Sequence, residues 1–258
     1  MHDILAGKIA WRLTDEASSV RQLADEALAE VARRPVVTGT ADPEMTARIA
    51  EETLRMGASG ASVLAVARSG GIGPLATIDV YVGAVAAWLG TAWIDDRLSF
   101  ADVTRGCAVL HRVIAEVPCV FPPQALPARA GSVLVVVPEG EDHILGAATA
   151  VHQLRRAGFS VAAGFCPPDD DVEAAAARPE IEAVLLSVAS VDRLDRVGGL
   201  TRRIRARTAA PVLLGGAILG RLRPEALSDP HLPQIVPGGI ATLLGSGAAI
   251  LGAGRAGR

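Results

Sequence analysis

Two hydrophobic periods divide the chain. Over residues 15–34, Val20, Leu23, Ala24, Ala27, Leu28 and Val31 recur at i, i+3 and i+4, which lines one face of a helix. Asp42, Pro43 and Glu44 read as an N-cap, a first helical position and a first-turn acid. They predict a second helix running to Met56, with Gly57 as its stop. Further helices are predicted at 59–68, at 74–94, and from a Ser99 cap to Glu116 with Asp102 in the first turn. No strand-like alternation interrupts this half, so it predicts a helical bundle over 1–117. Residues 75–93 are long and apolar enough to cross a bilayer. They contain Asp79, owe much of their bulk to Ala and Gly, and run straight into Asp95-Asp96-Arg97. A buried bundle helix, not a membrane span, is expected.

Residues 118–130 hold four prolines, which forbids a helix interior and predicts a stiff linker. Beyond it the period changes. Ser132–Val137 is a short β-branched run, the pattern of a strand buried on both faces. Strands at 159–165, 183–188 and 211–214, and a weak one at 240–242, alternate with helices at 144–157, 169–177, 192–207 and 244–252. That alternation predicts βαβ units and a parallel sheet. The expected architecture is α + α/β: an N-terminal helical bundle (1–117), a Pro-rich linker (118–130) and a flavodoxin-like, Rossmann-type, doubly wound parallel five-stranded sheet (131–258). Such sheets bind ligands at the carboxyl ends of their strands.

Composition narrows the chemistry. Half of the 258 residues are hydrophobic, which excludes a disordered chain. Only 3 % are aromatic and the net charge is −3, which argues against a base-stacking or phosphate-binding surface. Arg202, Arg203, Arg205 and Arg207 read as a solvated helix face, so direct nucleic-acid binding is not favoured. Cys107, Cys119 and Cys166 have no paired spacing and read as buried thiols in a reducing compartment. The start Met1-His2-Asp3 shows no signal-peptide pattern, so a cytoplasmic protein is expected.

The loop after the first predicted strand carries the candidate chemistry: Glu139-Gly140-Glu141-Asp142-His143-Ile144-Leu145-Gly146. His143 can present one ring nitrogen to a metal while Glu141 holds the proton on the other, fixing the tautomer. Gly146 leaves room for close approach at the helix start. The same residues also read as an acidic helix N-terminus with an exposed His. No second His is spaced for a zinc site, so a lone ligand suits a metal already held by a macrocycle. The third predicted strand ends in Ser187-Val188-Ala189 and the fourth in Gly215-Gly216. Those glycines admit either a ligand or an ordinary turn.

Glu141-Asp142-His143-Ile144-Leu145-Gly146, Ser187-Val188-Ala189 and Gly215-Gly216 together resemble the cobalamin-binding domain, whose pattern is Asp-x-His-x-x-Gly, Ser-x-Leu and Gly-Gly. The resemblance implies that His143 is the lower cobalt ligand. It also implies that the displaced nucleotide tail lies in a slot lined by Ser187 and Gly215-Gly216. Glu141 departs from the pattern's Asp, as in cobalamin photoreceptors, and Ala189 departs from its Leu. The segment from Trp93 to Thr104 resembles the bundle of the light-responsive regulators called AerR and PpaA, which control bacterial photosynthesis genes. In such proteins the bundle caps the upper corrin face, and Trp93 is the candidate contact; a bundle-core Trp is the other reading. Adenosylcobalamin receptors of similar domain order carry Glu-His ten residues after a bundle Trp. Here Leu98 and Val103 stand at those places, so a hydroxo or aquo form of cobalamin is favoured over adenosyl.

The resemblance implies a cobalamin-binding light or redox sensor, not an enzyme. It would act on transcription through a protein partner, a transcriptional repressor or other regulatory protein. The alternative is a corrinoid carrier of a methyltransferase system. A binding module that has lost cobalamin or holds another chromophore is a third reading.

Overall fold

The computed structural model describes residues 37–119, 131–222 and 229–235. The predicted helices at 15–34 and 244–252, the strand at 240–242 and all but two residues of the linker lie outside them. Helix α1 (Pro43–Leu54) starts as its sequence dictates, with Asp42 accepting from the Met45 N–H at 2.7 Å. It ends two residues before Met56, because Arg55 is already extended. Helix α2 (Gly60–Ser69) opens on a reciprocal Ser59–Ser62 capping box, and α4 (Phe100–Glu116) on one formed by Ser99 and Asp102.

Between them, helix α3 (Pro74–Ile94) departs from the uniform helix expected. Residues Thr77–Tyr81 form a π-helical turn. In that turn Ile78 and Tyr81 stay in the bundle core while the Asp79 carboxylate reaches the second half of the molecule. Ile49, Val63, Ile78, Val85, Leu89, Leu110 and Val113 close the core and are essentially inaccessible to solvent.

The second half is a parallel sheet of order β2-β1-β3-β4-β5. Its strands are β1 (Ser132–Val137), β2 (Ser160–Phe165), β3 (Ile181–Ser187), β4 (Val212–Gly215) and β5 (Gln234–Ile235). Among the described residues the fifth strand is Gln234–Ile235, which the sequence does not predict because two residues carry too little pattern to be seen in it. Side-chain alternation along β1 builds two layers. Val133, Val135 and Val137 pack under helix α5 (Leu145–Arg156). Leu134 and Val136 pack on α6 (Asp169–Ala176) and α7 (Leu194–Arg207). The chain leaves β1 for β2 on one side and returns to β3 on the other. The carboxyl ends of β1 and β3 therefore form the topological switch point where open α/β sheets take ligands.

Helix α5 joins the halves. Leu145 and Ala148 pack on the bundle core. Near the other end of α5, Arg156 donates to both Asp79 oxygens at 2.8 and 2.6 Å, and Gln153 donates to Oδ1 at 3.1 Å. The backbone N–H of Val37 also donates to Asp79, at 2.8 Å. His152 lies 3.0 Å from the carbonyl oxygen of Val117, just past the end of α4.

Candidate functional site

The loop from β1 to α5 turns sharply at Gly140, whose φ of +80° lies in the left-handed region that glycine adopts without strain. This turn drops the Glu141 side chain into the switch point, where the residue is only 3 % exposed. One carboxylate oxygen accepts from the Ala189 N–H at 2.8 Å and the Ser190 N–H at 3.4 Å, just past the end of β3. The other accepts from the His143 backbone N–H at 3.1 Å and meets His143 Nδ1 at 2.5 Å. Burial pushes the Glu141 carboxyl up. The hydrogen bonds from Ala189 and from the His143 ring and backbone outweigh it, and the net shift is below the ordinary carboxylate value.

An ionised Glu141 is an acceptor for a proton on Nδ1, the arrangement that leaves Nε2 for a metal. The His143 side chain is 71 % exposed. The predicted Glu141–His143 pair is therefore present, and its carboxylate is locked to the sheet by two backbone donors. Asp142 is exposed, and its carbonyl accepts from the Ile144 N–H. Ile144 packs into the layer between α5 and the sheet, whereas Leu145 faces the bundle. Gly146 is exposed, and a Cβ added there would meet only open space. Among the described residues no three His, Cys, Asp or Glu side chains gather to hold a bare metal ion. A lone His backed by a buried carboxylate suits a metal whose equatorial ligands come from elsewhere.

The remaining predicted residues divide. Ser187 is buried at the end of β3, level with Gly215. Val188 donates to Gly215 O and accepts from the Ile218 N–H, closing the strand ends together. Ala189 contributes its backbone N–H, a role indifferent to the Leu-to-Ala departure. Gly216 has φ +97°, and a Cβ there would lie 2.2 Å from Val188 O. Its glycine is demanded by the neighbouring backbone, which the ordinary-turn reading describes better than ligand approach. Trp93 is 49 % exposed and packs in a tilted pair with Phe100, ring centroids 6.3 Å apart. It is not a bundle-core residue; Tyr81 holds that place and Trp88 packs against the core.

One expectation changes. Cys119 and Cys166 are exposed rather than buried, and Cys107 is half-buried. Cys166 follows β2 with φ +54°, which swings its thiol against the site loop, 3.2 Å from Glu141 O. The basic run of α7 is exposed, as expected of a solvated face. On it, Arg203 pairs with Asp170 and Glu173, and Arg205 donates to the carbonyls of Pro230 and Leu232.

Sequence reasoning missed the Asp79–Arg156 pair and the role of His152. The available signal was Asp79 itself, a carboxylate inside an apolar run that must find a donor. A cavity of about 450 Å³ also lies between α4, α5 and the end of β2, lined by His111, Val117, Ile144, His152 and Phe165 among others.

No protein-family model matches the chain. Its fold is similar to that of the Methanosarcina barkeri monomethylamine corrinoid protein, with a TM-score of 0.57 at 16 % identity, over 79 % of this chain and 95 % of that one. A more distant likeness, with a TM-score of 0.41 at 16 % identity, links it to a novel cobalamin-binding protein from Desulfitobacterium hafniense DCB-2, over 80 % of this chain and 97 % of that one. In sequence it is 33 % identical over 151 residues to an uncharacterised 20.5 kDa protein in the bchF-crtJ intergenic region of Rhodobacter capsulatus. That match covers 57 % of this chain and 78 % of the relative, and the chain belongs to the family of that bchF-crtJ intergenic-region protein.

Proposed function

We propose that the protein is a cobalamin-binding sensor of light or redox state that regulates transcription through a protein partner, with His143 Nε2 as the lower cobalt ligand. The observation that carries this reading is the buried Glu141 carboxylate. It is fixed by Ala189 N–H and holds His143 Nδ1 at 2.5 Å, while the ring stays open to solvent. Bound cobalamin would supply a cobalt centre whose axial ligands change with light or oxidation state. Glu141 takes the proton on Nδ1, which leaves Nε2 as the nitrogen to meet the cobalt, and sets the direction of the ring. Gly146 would keep the start of α5 clear, and buried Ser187 at the end of β3 with half-buried Gly215 at the end of β4 would border the slot for the nucleotide tail. Trp93, half-exposed on the bundle, would meet the upper face.

The family relationship supports a regulatory reading. The relative's gene lies between bchF and crtJ, in a photosynthesis gene cluster. The partner on this reading is a transcriptional repressor or similar regulator. Hydroxocobalamin is the expected form, neither nucleic acid nor membrane is engaged directly, and the chain catalyses no reaction of its own. The bundle (to residue 117), linker and sheet unit act as separate parts around the corrin.

The test is a visible spectrum of the full chain mixed with hydroxocobalamin, before and after green light. Wild type is expected to show a shifted spectrum characteristic of imidazole ligation, and His143→Ala to lose it. Identical spectra for wild type, His143→Ala and free hydroxocobalamin would reject the proposal. A spectrum that answers only to a methyl donor and reductant, and not to light, would favour the corrinoid carrier. The fold likeness to the monomethylamine corrinoid protein supports that second reading.

A further inference from the structure

The hydrogen bonds between the bundle and α5 gather at one end. Asp79, Gln153, Arg156, His152 and Val117 all lie there, and the Asp79 side chain is completely buried. His143 lies at the opposite end of α5, about 18 Å away at ~1.5 Å per residue. On the bundle, Trp93 lies fourteen residues beyond Asp79 along the same helix, about 21 Å at that rise. The contacts fix the sense of the helices. Val117 meets His152, while His111 and Ile144 line one cavity, so α4 and α5 run the same way. Phe100 then projects about 16 Å of helix past His111, beyond the level of the His143 loop. Among the described residues the polar latch thus lies at the foot, and the end that carries Trp93 and Phe100 lies beyond the apolar packing of Leu145 and Ala148.

We propose that Asp79 and Arg156 are a positioning pair: a buried pivot that sets how closely the Trp93 end of the bundle stands over the corrin carried by His143. This rests on the cobalamin reading above but touches neither its ligand nor its tail slot. A pivot of this kind needs a contact that resists sliding. Arg156 Nη2 donates to both Asp79 oxygens, and this short, charge-assisted contact between two buried groups holds their distance. Gln153 and the Val37 N–H occupy the remaining acceptor directions, so Asp79 has one arrangement. The π-helical turn is what presents Asp79 to α5 without withdrawing Ile78 and Tyr81 from the core. Leu145 and Ala148 carry the contact upward as apolar packing, which can slide or part more readily than the ion pair.

The experiment compares wild type, Arg156→Met and the milder Asp79→Asn as full chains. Small-angle scattering of the ligand-free proteins measures the spread of the two halves. Release of bound hydroxocobalamin into excess competing apo-binder measures the hold on the corrin. The pair as pivot predicts a larger radius of gyration in Arg156→Met and at least a tenfold faster release, with the His143-dependent spectrum unchanged. Asp79→Asn, which keeps the shape and an acceptor oxygen, gives a smaller change in the same direction. Unchanged scattering and release in variants that merely melt earlier would overturn the proposal and leave the pair a plain structural contact. A wild type that binds no cobalamin would reject the functional reading alone. The scattering arm would then decide the pivot by itself: spread in Arg156→Met upholds it, and no spread overturns it.

Discussion

The two ends of helix α5 meet the same bundle with opposite chemistry. At the foot, the Asp79 side chain is fully buried and takes hydrogen bonds from Arg156, Gln153 and Val37. At the top, the His143 side chain is 71 % exposed, and Trp93 and Phe100 are 49 % and 70 % exposed. Buried charge at the foot costs free energy unless every partner is present, so that end tolerates little change. The exposed groups at the top make few contacts, one ring pair and the His143–Glu141 hydrogen bond, and contribute less to the fold. The difference separates what holds the two halves together from what is available to a ligand.

The largest effect should come from breaking the foot. Asp79→Ala removes the buried acceptor used by Arg156, Gln153 and Val37. A loss of about 3–5 kcal/mol in urea unfolding is expected for one half of a buried pair. His143→Ala, at the other end of the same helix, should cost less, about 1.5 kcal/mol, because it removes one hydrogen bond to the buried Glu141 carboxylate and leaves the Ala189 donor in place. Equal losses for the two variants would erase the contrast. Between these lies the rim of the strand ends. Gly216→Ala forces a φ of +97° on a residue with a Cβ and pushes it into Val188 O. Destabilisation of about 1–3 kcal/mol, or more if Val188 cannot yield, is expected from the backbone term.

Acid should dissolve the two ends in sequence. Burial is the main cause that holds the His152 pKa below its ordinary value. The Val117 carbonyl and Asp79 pull it up, while Arg156 and Arg155 push it down. A group whose native pKa is depressed contributes stability that is lost as pH falls from the unfolded value toward the native one. For His152 that loss starts as pH drops below about 6.5. Glu141 is also depressed in the native state, so its contribution persists until pH falls below 4.5, its unfolded value, and goes as pH passes through the native value. Stability against pH should therefore fall in two limbs. His152→Gln should flatten the upper limb. Glu141→Gln should flatten the lower one at a cost of about 1 kcal/mol at neutral pH, since Gln keeps an acceptor but loses the charge. A single limb that neither variant alters would show that these groups do not carry the acid response.

Much of this architecture is legible in the sequence because local chemistry and burial agree. Asp42-Pro43 and Ser99 with Asp102 start helices where a cap is required, and the valine run of β1 is buried on both faces as its composition demands. The Glu141–His143 pair is legible for the same reason, since two residues apart in one loop is a local relation. What was not legible is non-local or lacks a pattern. Arg156 lies 77 residues from Asp79, and nothing in either neighbourhood names the other. The anchoring of Glu141 by Ala189 uses a backbone N–H, which every residue but proline offers. The strand Gln234–Ile235 is too short for a period. Cys166 reads as an ordinary buried thiol until its left-handed backbone turns it outward.

The smallest thermodynamic effect is the sharpest test of the top end. Trp93 makes one tilted ring contact, with Phe100, and half of its surface is open. Trp93→Ala should therefore cost less than about 1 kcal/mol in unfolding, close to what an isolated aromatic pair contributes. If Trp93 shields the upper corrin face, the same change should speed replacement of the hydroxo ligand by cyanide on bound cobalamin severalfold. The His143 side of the spectrum should stay as it was. A loss of several kcal/mol with no change in exchange rate would place Trp93 in the core energetics after all and return the upper face to some other residue. A negligible loss with faster exchange would show that the exposed end of the bundle is kept apolar for the ligand, because the fold has no need of it there.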